Sequence, residues 1–265
     1  AVSAWVGHWP GGLAVATILS CGVFAAISGS SVATAATIGT VAIPEMINRG
    51  YNKRFVYGLL AAGGTLGILI PPSIPMIIYG FITEESVISL FLAGIGPGIA
   101  LLLFFIVFSM IYARMGGQEL EPKKGWAERK RATIRALPSV VLAVLIISGI
   151  YSGAFTPTEA AAIGFAAALI ITGPIMRVLT WDALKKAVFD SMATTVAIIL
   201  IIAGAKIFGK AITLYRIPQD ISMMITQGMD TELGFILIVT AVLLVMGLVF
   251  EALSMVLIMT PVLLP

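Results

Sequence analysis

Four stretches of this chain carry no Asp, Glu, Lys or Arg: residues 1–44, 55–83, 86–113 and 136–158. Each is predominantly apolar and longer than the about 20 helical residues that cross a bilayer's hydrocarbon core. Further apolar runs cover 158–176, 192–212 and 232–265. The pattern predicts an all-α polytopic membrane protein. A transmembrane β-barrel would show runs of about 10 alternating residues instead.

Two of the runs are too long or too broken to be plain crossings. As one straight helix, 11–47 would be about 54 Å long, against a membrane core of about 30 Å. It is interrupted once, at Ser28-Gly29-Ser30-Ser31. We read it as a re-entrant hairpin with its tip at 28–31, which the membrane tolerates only if protein or a cavity surrounds it. Segment 55–82 contains Pro71-Pro72-Ser73. Each proline lacks an N–H and clashes with the preceding turn, so the helix must unwind near 70–73. Gly63, Gly64 and Gly67 just before the break allow close packing.

Segment 86–113 crosses back, and 114–135 is a basic connector. Segment 138–153 crosses next and turns at 153–157, with Thr156 or Thr158 as the N-cap of 158–176. Residues 86–113 and 138–176 are read as scaffold and connecting helices. Residues 177–190 form an amphipathic basic connector. Segment 192–231 joins a crossing over 192–212 to an interfacial helix over 213–231. Segment 232–265 is apolar up to an interruption at Glu251 and begins a second hairpin. The chain starts without Met and stops inside an apolar run, so it is expected to continue at both ends.

Charge placement gives an orientation. The connectors 48–54, 114–135 and 177–190 hold thirteen basic residues, whereas 83–86, 151–157 and 213–231 hold only Arg216. By the positive-inside bias the first group is cytoplasmic. An odd number of crossings, five, then separates the two interrupted segments. Laying Pro44 over Pro265 sets Ser28–Ser31 over Val249–Ala252. Broken apolar segments at matching positions of two inverted halves point to a transporter's midplane site.

Composition narrows the chemistry. The chain is 59% hydrophobic and 11% charged, with a mean hydropathy of +1.07. One cysteine, Cys21, makes no internal disulfide and no Cys-based metal site. One histidine, His8, excludes HExxH zinc chemistry. No catalytic constellation is present, and no cofactor or nucleic-acid partner is indicated.

A helix broken inside the membrane exposes N–H groups at one end and C=O groups at the other. Carbonyls and serine hydroxyls are hard donors suited to Na⁺, and helix N-termini suit a carboxylate. Candidate sodium-binding residues are Ser28, Gly29, Ser30, Ser31, Gly67, Pro71 and Ser73. Candidate substrate-binding residues are Ser31, Pro72, Ser73 and Glu251. Lone serines and glycines commonly serve helix packing, but an SGSS tip beside a PPS break favours function. Glu251 is a functional hypothesis as an intramembrane carboxylate, or else caps a half-helix. Lys206 and Lys210 are read as snorkelling, Arg216 as an interfacial anchor and Glu159 as a first-turn charge.

The runs SGSSVATAATIGTVAIPEM (28–46), GGTLGILIPPSIPMIIYG (63–80) and FTPTEAAAIGFAAAL (155–169) together resemble the large membrane subunit of TRAP transporters, the DctM-like family. IPQDIS (217–222) and LSMVLIMTPVLLP (253–265) fit as well. The resemblance implies an inverted-repeat, elevator-type transporter of the ion-transporter superfamily with re-entrant hairpins and broken helices. It implies Na⁺-driven import of organic acids, such as C4-dicarboxylates or sialic acid, across the inner membrane. It also implies a small four-helix membrane subunit (DctQ-like), separate or fused, and a periplasmic substrate-binding protein (DctP-like). On the family's pattern, the SGSS tip and PPS break border the first Na⁺ site. The second-half counterpart of 63–80 lies outside this sequence.

Three other readings stand beside this one. A related carrier working without a binding protein is told apart by the sequence beyond these termini or by a neighbouring gene for a periplasmic binding protein. An intramembrane serine protease needs a base within reach of its nucleophile, yet His8 lies about 30 Å from Ser28 if the intervening stretch is helical. A purely structural scaffold subunit has no need of paired helix breaks.

Overall fold

The computed structural model describes residues 1–116, 122–216 and 232–263. The described residues are helical, without a strand. In chain order the helices are α1 (Val2–Val6), α2 (Gly12–Ser28), α3 (Ser31–Asn48), α4 (Lys53–Leu69), α5 (Ile74–Thr83), α6 (Val87–Met115), α7 (Trp126–Tyr151), α8 (Pro157–Ile170, continued by a π-helical turn Ile171–Ile175), α9 (Trp181–Leu214), α10 (Glu232–Met246) and α11 (Ala252–Leu263). Among the described residues five spans are long and apolar enough to cross a membrane: Lys53–Thr83, Val87–Met115, Trp126–Tyr151, Pro157–Ile175 and Trp181–Ala211. These correspond one for one to the five expected crossings, and the chain is a multi-pass helical membrane protein.

The chain divides into two compact units, 1–77 with 86–177, and 78–85 with 178–265. In the first, α2 and α3 double back on each other. Thr17, near the start of α2, reaches the Met46 sulfur, near the end of α3, at 3.7 Å. Helices α2 and α3 thus form a helical hairpin. Tyr51 packs against the core at its open end, its phenol beside the amides of Ala14 and Leu13 in the first turn of α2. That turn starts from Gly11, which offers no capping side chain.

Helix α4 packs along both arms of the hairpin. Val15, Ile18, Cys21 and Ala25 of α2 form one buried core with Met46 of α3, Val56, Leu59, Leu60 and Leu66 of α4 and Ile106 of α6. Gly63 and Gly64 permit the approach: a methyl on either would stand 2.8 Å from the Cys21 sulfur or 2.9 Å from Ala35 Cβ. A smaller core joins Phe91 of α6 to Ile150 of α7 and Ala160 of α8. The turn before α8 is built by a capping box. Glu159 N–H donates to Thr156 Oγ1 (3.3 Å) and Thr156 N–H to Glu159 Oε2 (2.8 Å), so Thr156, not Thr158, is the N-cap.

Helix ends differ from the charge pattern. Helix α7 begins at Trp126, inside the stretch read as connector, and α9 is continuous from Trp181 through the 177–190 connector. Lys, Arg and Glu are good helix formers, so charge marks where a helix leaves the apolar core rather than where it stops. The expected interfacial helix over 213–231 and the IPQDIS motif fall mainly or wholly on 217–231, outside the described residues.

In the second unit, α11 packs on α9 and buries Leu253, Leu257 and Thr260, a single helical stripe. Lys206 of α9 places its Nζ 5.4 Å from the Phe81 ring centroid, in keeping with an amphipathic side chain at a membrane face. Many apolar side chains point outward, such as Phe104 on α6 and Leu200 on α9, as lipid-facing surfaces do.

Candidate functional site

The hairpin tip is two residues long. Gly29 ends α2 in the left-handed region, at φ 60°, and Ser30 is extended. Glycine is the residue that adopts the first conformation without steric cost. Ser30 then caps α3, its side chain accepting from Ala33 N–H at 3.4 Å. A hydroxyl cluster fills the inside of the turn. Thr34 Oγ1 donates to the Ser30 carbonyl at 2.7 Å and lies 3.0 Å from Ser28 Oγ. Thr34 is fully buried. Of the first α3 amides, those of Ser31 and Val32 have no acceptor among the described residues.

The second break follows from proline chemistry. Pro71 and Pro72 have no N–H to give the carbonyls of Gly67 and Ile68, four residues back. Ser73, also fully buried, donates its hydroxyl to the Ile68 carbonyl at 2.6 Å. The Gly67 carbonyl is left without its helical donor. The chain resumes as α5 at Ile74.

The tip and the break meet. Ile74 N–H donates to the Gly29 carbonyl at 3.2 Å. A methyl on Gly29 would stand 2.7 Å from the Pro72 carbonyl oxygen, and one on Gly67 would stand 2.4 Å from the Ser30 carbonyl oxygen. Ser28, Gly29, Ser30, Gly67, Pro72 and Ser73 are thus gathered in one place, with Ser31 and Pro71 next to them in the chain. A cavity of about 170 Å³ lies alongside, walled by Ser28, Gly29, Pro72 and Ser73 and by Phe91, Ile150 and Ala160.

The gathered groups are neutral oxygens and amides; residues 1–44 and 55–83 hold no charged side chain. The arrangement offers a small cation hydroxyl and carbonyl oxygens, and offers an anion the free amides of α3. Among the described residues no group of three or more His, Cys, Asp or Glu side chains is placed to hold a metal. The sequence reading passed over Thr34. Its signal was its place four residues after Ser30, where a threonine hydroxyl returns to the carbonyl one turn back. Glu251 belongs to the second unit. It is exposed and precedes α11 in the N-cap position, its carbonyl accepting from Met255 N–H at 2.9 Å.

Comparison with known proteins matches residues 1–265 to the family model described as the tripartite ATP-independent periplasmic transporter, DctM component. A C4-dicarboxylate TRAP transporter large permease protein of Pseudomonas aeruginosa is 40% identical over 263 residues, 99% of this chain and 62% of that protein. An ectoine/5-hydroxyectoine TRAP transporter large permease protein of Ruegeria pomeroyi is 37% identical, over 100% of this chain and 62% of its own length. An isethionate TRAP transporter permease protein DctMQ of Oleidesulfovibrio alaskensis is 36% identical over 98% of this chain and 41% of its length. The chain thus spans less than two thirds of these relatives.

Proposed function

The chain belongs to the DctM component family of tripartite ATP-independent periplasmic transporters, and on that premise we propose that it is part of a large permease subunit importing organic acids with Na⁺. The relatives transport or are named for a C4-dicarboxylate, ectoines and isethionate, and the substrate here is an organic acid of the same broad kind. A small DctQ-like membrane subunit and a DctP-like periplasmic binding protein work with it in the inner membrane. The fused DctMQ name of one relative supports the first partner.

The observation that carries this reading is the junction of tip and break through the Ile74–Gly29 hydrogen bond. Around it stand the Ser30 and Gly67 carbonyls and the Ser28, Thr34 and Ser73 hydroxyls. Each hydroxyl keeps lone pairs for a cation beyond the bond it already makes. With no carboxylate at the site, a divalent ion's charge is uncompensated, which favours a monovalent one. Na⁺ binds first and orders the tip, and the substrate carboxylate then meets the amides of Ser31 and Val32. Coupling is reciprocal: Na⁺ raises substrate affinity as much as substrate raises Na⁺ affinity.

The hairpins and the broken helix 55–82 act as the moving element of an elevator, with 86–113 and 138–176 as scaffold. The basic connectors 48–54, 114–135 and 177–190 face the cytoplasm, where anionic lipid lies. Na⁺-driven uptake in proteoliposomes, using the full transporter and its binding protein, tests the reading through Ser30→Ala and Ser31→Ala. Both are expected to lower uptake and shift its Na⁺ dependence. Unaltered uptake with unaltered Na⁺ dependence would overturn the assignment of the tip.

A further inference from the structure

A second cavity, of about 460 Å³, opens between the two arms of the first hairpin, and none of its lining residues belongs to α4. Leu13, Ala16, Ile38 and Val41 give it an apolar interior. Its charged groups, Glu45, Arg49 and Lys124, come from the end of α3, the residue after it, and the basic connector. They therefore mark the open end of the hairpin, not the tip. Its volume is in the range of pockets that hold small organic ligands.

The charges at that end do not cancel. Arg49 donates through Nε to Glu45 at 2.8 Å, forming an i,i+4 pair. Lys124 has no ion pair among the described residues. Helix α1, whose Val2 lines the same cavity, also carries Trp5, and Arg129 lies 5.4 Å from that ring's centroid. Two guanidinium nitrogens of Arg129, Nε and Nη2, are buried without an acceptor. Trp5 itself is anchored, donating to Thr133 Oγ1 at 3.0 Å and packing edge-on to Trp126. An apolar slot thus ends in surplus positive charge, unspent donors and indole rings. Those are the features that recognise an amphiphile with an anionic head at a membrane interface.

We propose that the groove between α2 and α3 seats one anionic phospholipid, an acyl chain between the arms and the phosphate at Lys124 beside Arg129. Its assignment to the cytoplasmic leaflet rests on the orientation given under the proposed function; the seat itself rests on the cavity and its charges. A lipid held there fills the space between the arms and steadies the hairpin away from its tip.

Native mass spectrometry of the full purified transporter, titrated with phosphatidylglycerol or phosphatidylcholine, tests the seat. The unmodified protein is expected to retain phosphatidylglycerol in preference to phosphatidylcholine. Lys124→Gln should weaken phosphatidylglycerol binding about fivefold, as expected for one basic residue near an anionic lipid, and leave phosphatidylcholine unchanged. Val41→Trp, at a side chain 74% exposed and so tolerant of change, should fill the groove and lower binding of both. Equal binding of the two lipids, or the same phosphatidylglycerol retention in all three proteins, would overturn the proposal. Labelling of Lys124→Cys from the outer side of sealed vesicles would overturn the leaflet while leaving the lipid titration intact, so the two readings fail separately.

Discussion

Helix α4 contains a matched pair of glycines that separates the tip contact from ordinary helix stability. A methyl added at Gly58 meets nothing within 4 Å. One added at Gly67 stands 2.4 Å from the Ser30 carbonyl oxygen, 2.7 Å from its carbon and 2.8 Å from Thr34 Oγ1. Ordinary contact starts near 3.4 Å, so the tip must retreat by about 1 Å. Alanine gains about 0.8–1 kcal/mol over glycine inside a helix, and overpacking costs about 1–3 kcal/mol. Gly58→Ala should therefore stabilise the protein by up to about 1 kcal/mol. Gly67→Ala should range from neutral to about 2 kcal/mol destabilising, which leaves it folded.

The functional effect is expected to be larger than the stability effect. A positioned site displaced by about 1 Å loses up to about 10²-fold, because its donors no longer converge. Gly67→Ala should raise the Na⁺ concentration for half-maximal uptake at least tenfold, and Gly58→Ala should leave it alone. The assay is uptake in proteoliposomes across a Na⁺ series, with thermal unfolding of each variant measured in parallel. If Gly67→Ala matched Gly58→Ala in Na⁺ dependence, the Ser30 and Gly67 carbonyls would not belong to the cation site.

Thr34→Val removes the donor to the Ser30 carbonyl and the partner of Ser28. It should cost about 1–3 kcal/mol in thermal unfolding and abolish the stabilisation given by added Na⁺, while Thr34→Ser keeps both. Thr156→Ala breaks the capping box of α8, and should lower stability by about 1 kcal/mol without altering the Na⁺ dependence of uptake. Tyr51→Phe should destabilise the open end of the hairpin at neutral pH, since it removes the hydroxyl that stands beside the Ala14 and Leu13 amides. Burial pushes the Tyr51 phenol above its ordinary 10.0, against the opposing pull of the Ala14 amide, Arg49 and the Leu13 amide. The folded protein thus holds that proton longer than the unfolded chain, so this contribution is whole below pH 10 and falls away as pH rises through the folded value. Denaturant titrations from pH 8 to 11 should show less of that fall in Tyr51→Phe. Glu251→Ser supplies a better N-cap and should keep the fold while lowering uptake; retained uptake would reduce Glu251 to a cap.

Both breaks were legible because they are written in residues with few alternatives. Gly29 takes a positive φ, Ser30 caps, and Pro71 and Pro72 cannot donate. Their meeting was legible only as a condition, since no pattern within 11–47 or 55–82 states that Gly67 faces Ser30. Thr34 stayed hidden because a threonine in an apolar helix ordinarily spends its hydroxyl on its own backbone. Thr17, Thr65 and Thr172 do so here, and only the tip's geometry sets Thr34 apart. The wall contributed by Phe91, Ile150 and Ala160 depends on the packing of three helices, which apolar runs do not encode residue by residue.

The register between the two interrupted segments has a physical basis beyond apolar likeness. The offset that carries Pro44 onto Pro265 also carries Ser31, the first residue of α3, onto Ala252, the first of α11. Apolar runs slide freely against one another, but a helix start is fixed by where N–H groups lose their partners. A shared start therefore says more than shared hydropathy. The caps differ, Ser30 in one and Glu251 in the other. Serine accepts the amides of its own turn at short reach, whereas a glutamate in that place acts chiefly as charge against the helix dipole. A negative charge in the apolar stretch is costly to keep, and Glu251 has no ion pair among the described residues. Capping alone asks for a serine at that position, so the choice of a carboxylate in this chain argues for a role that needs its charge.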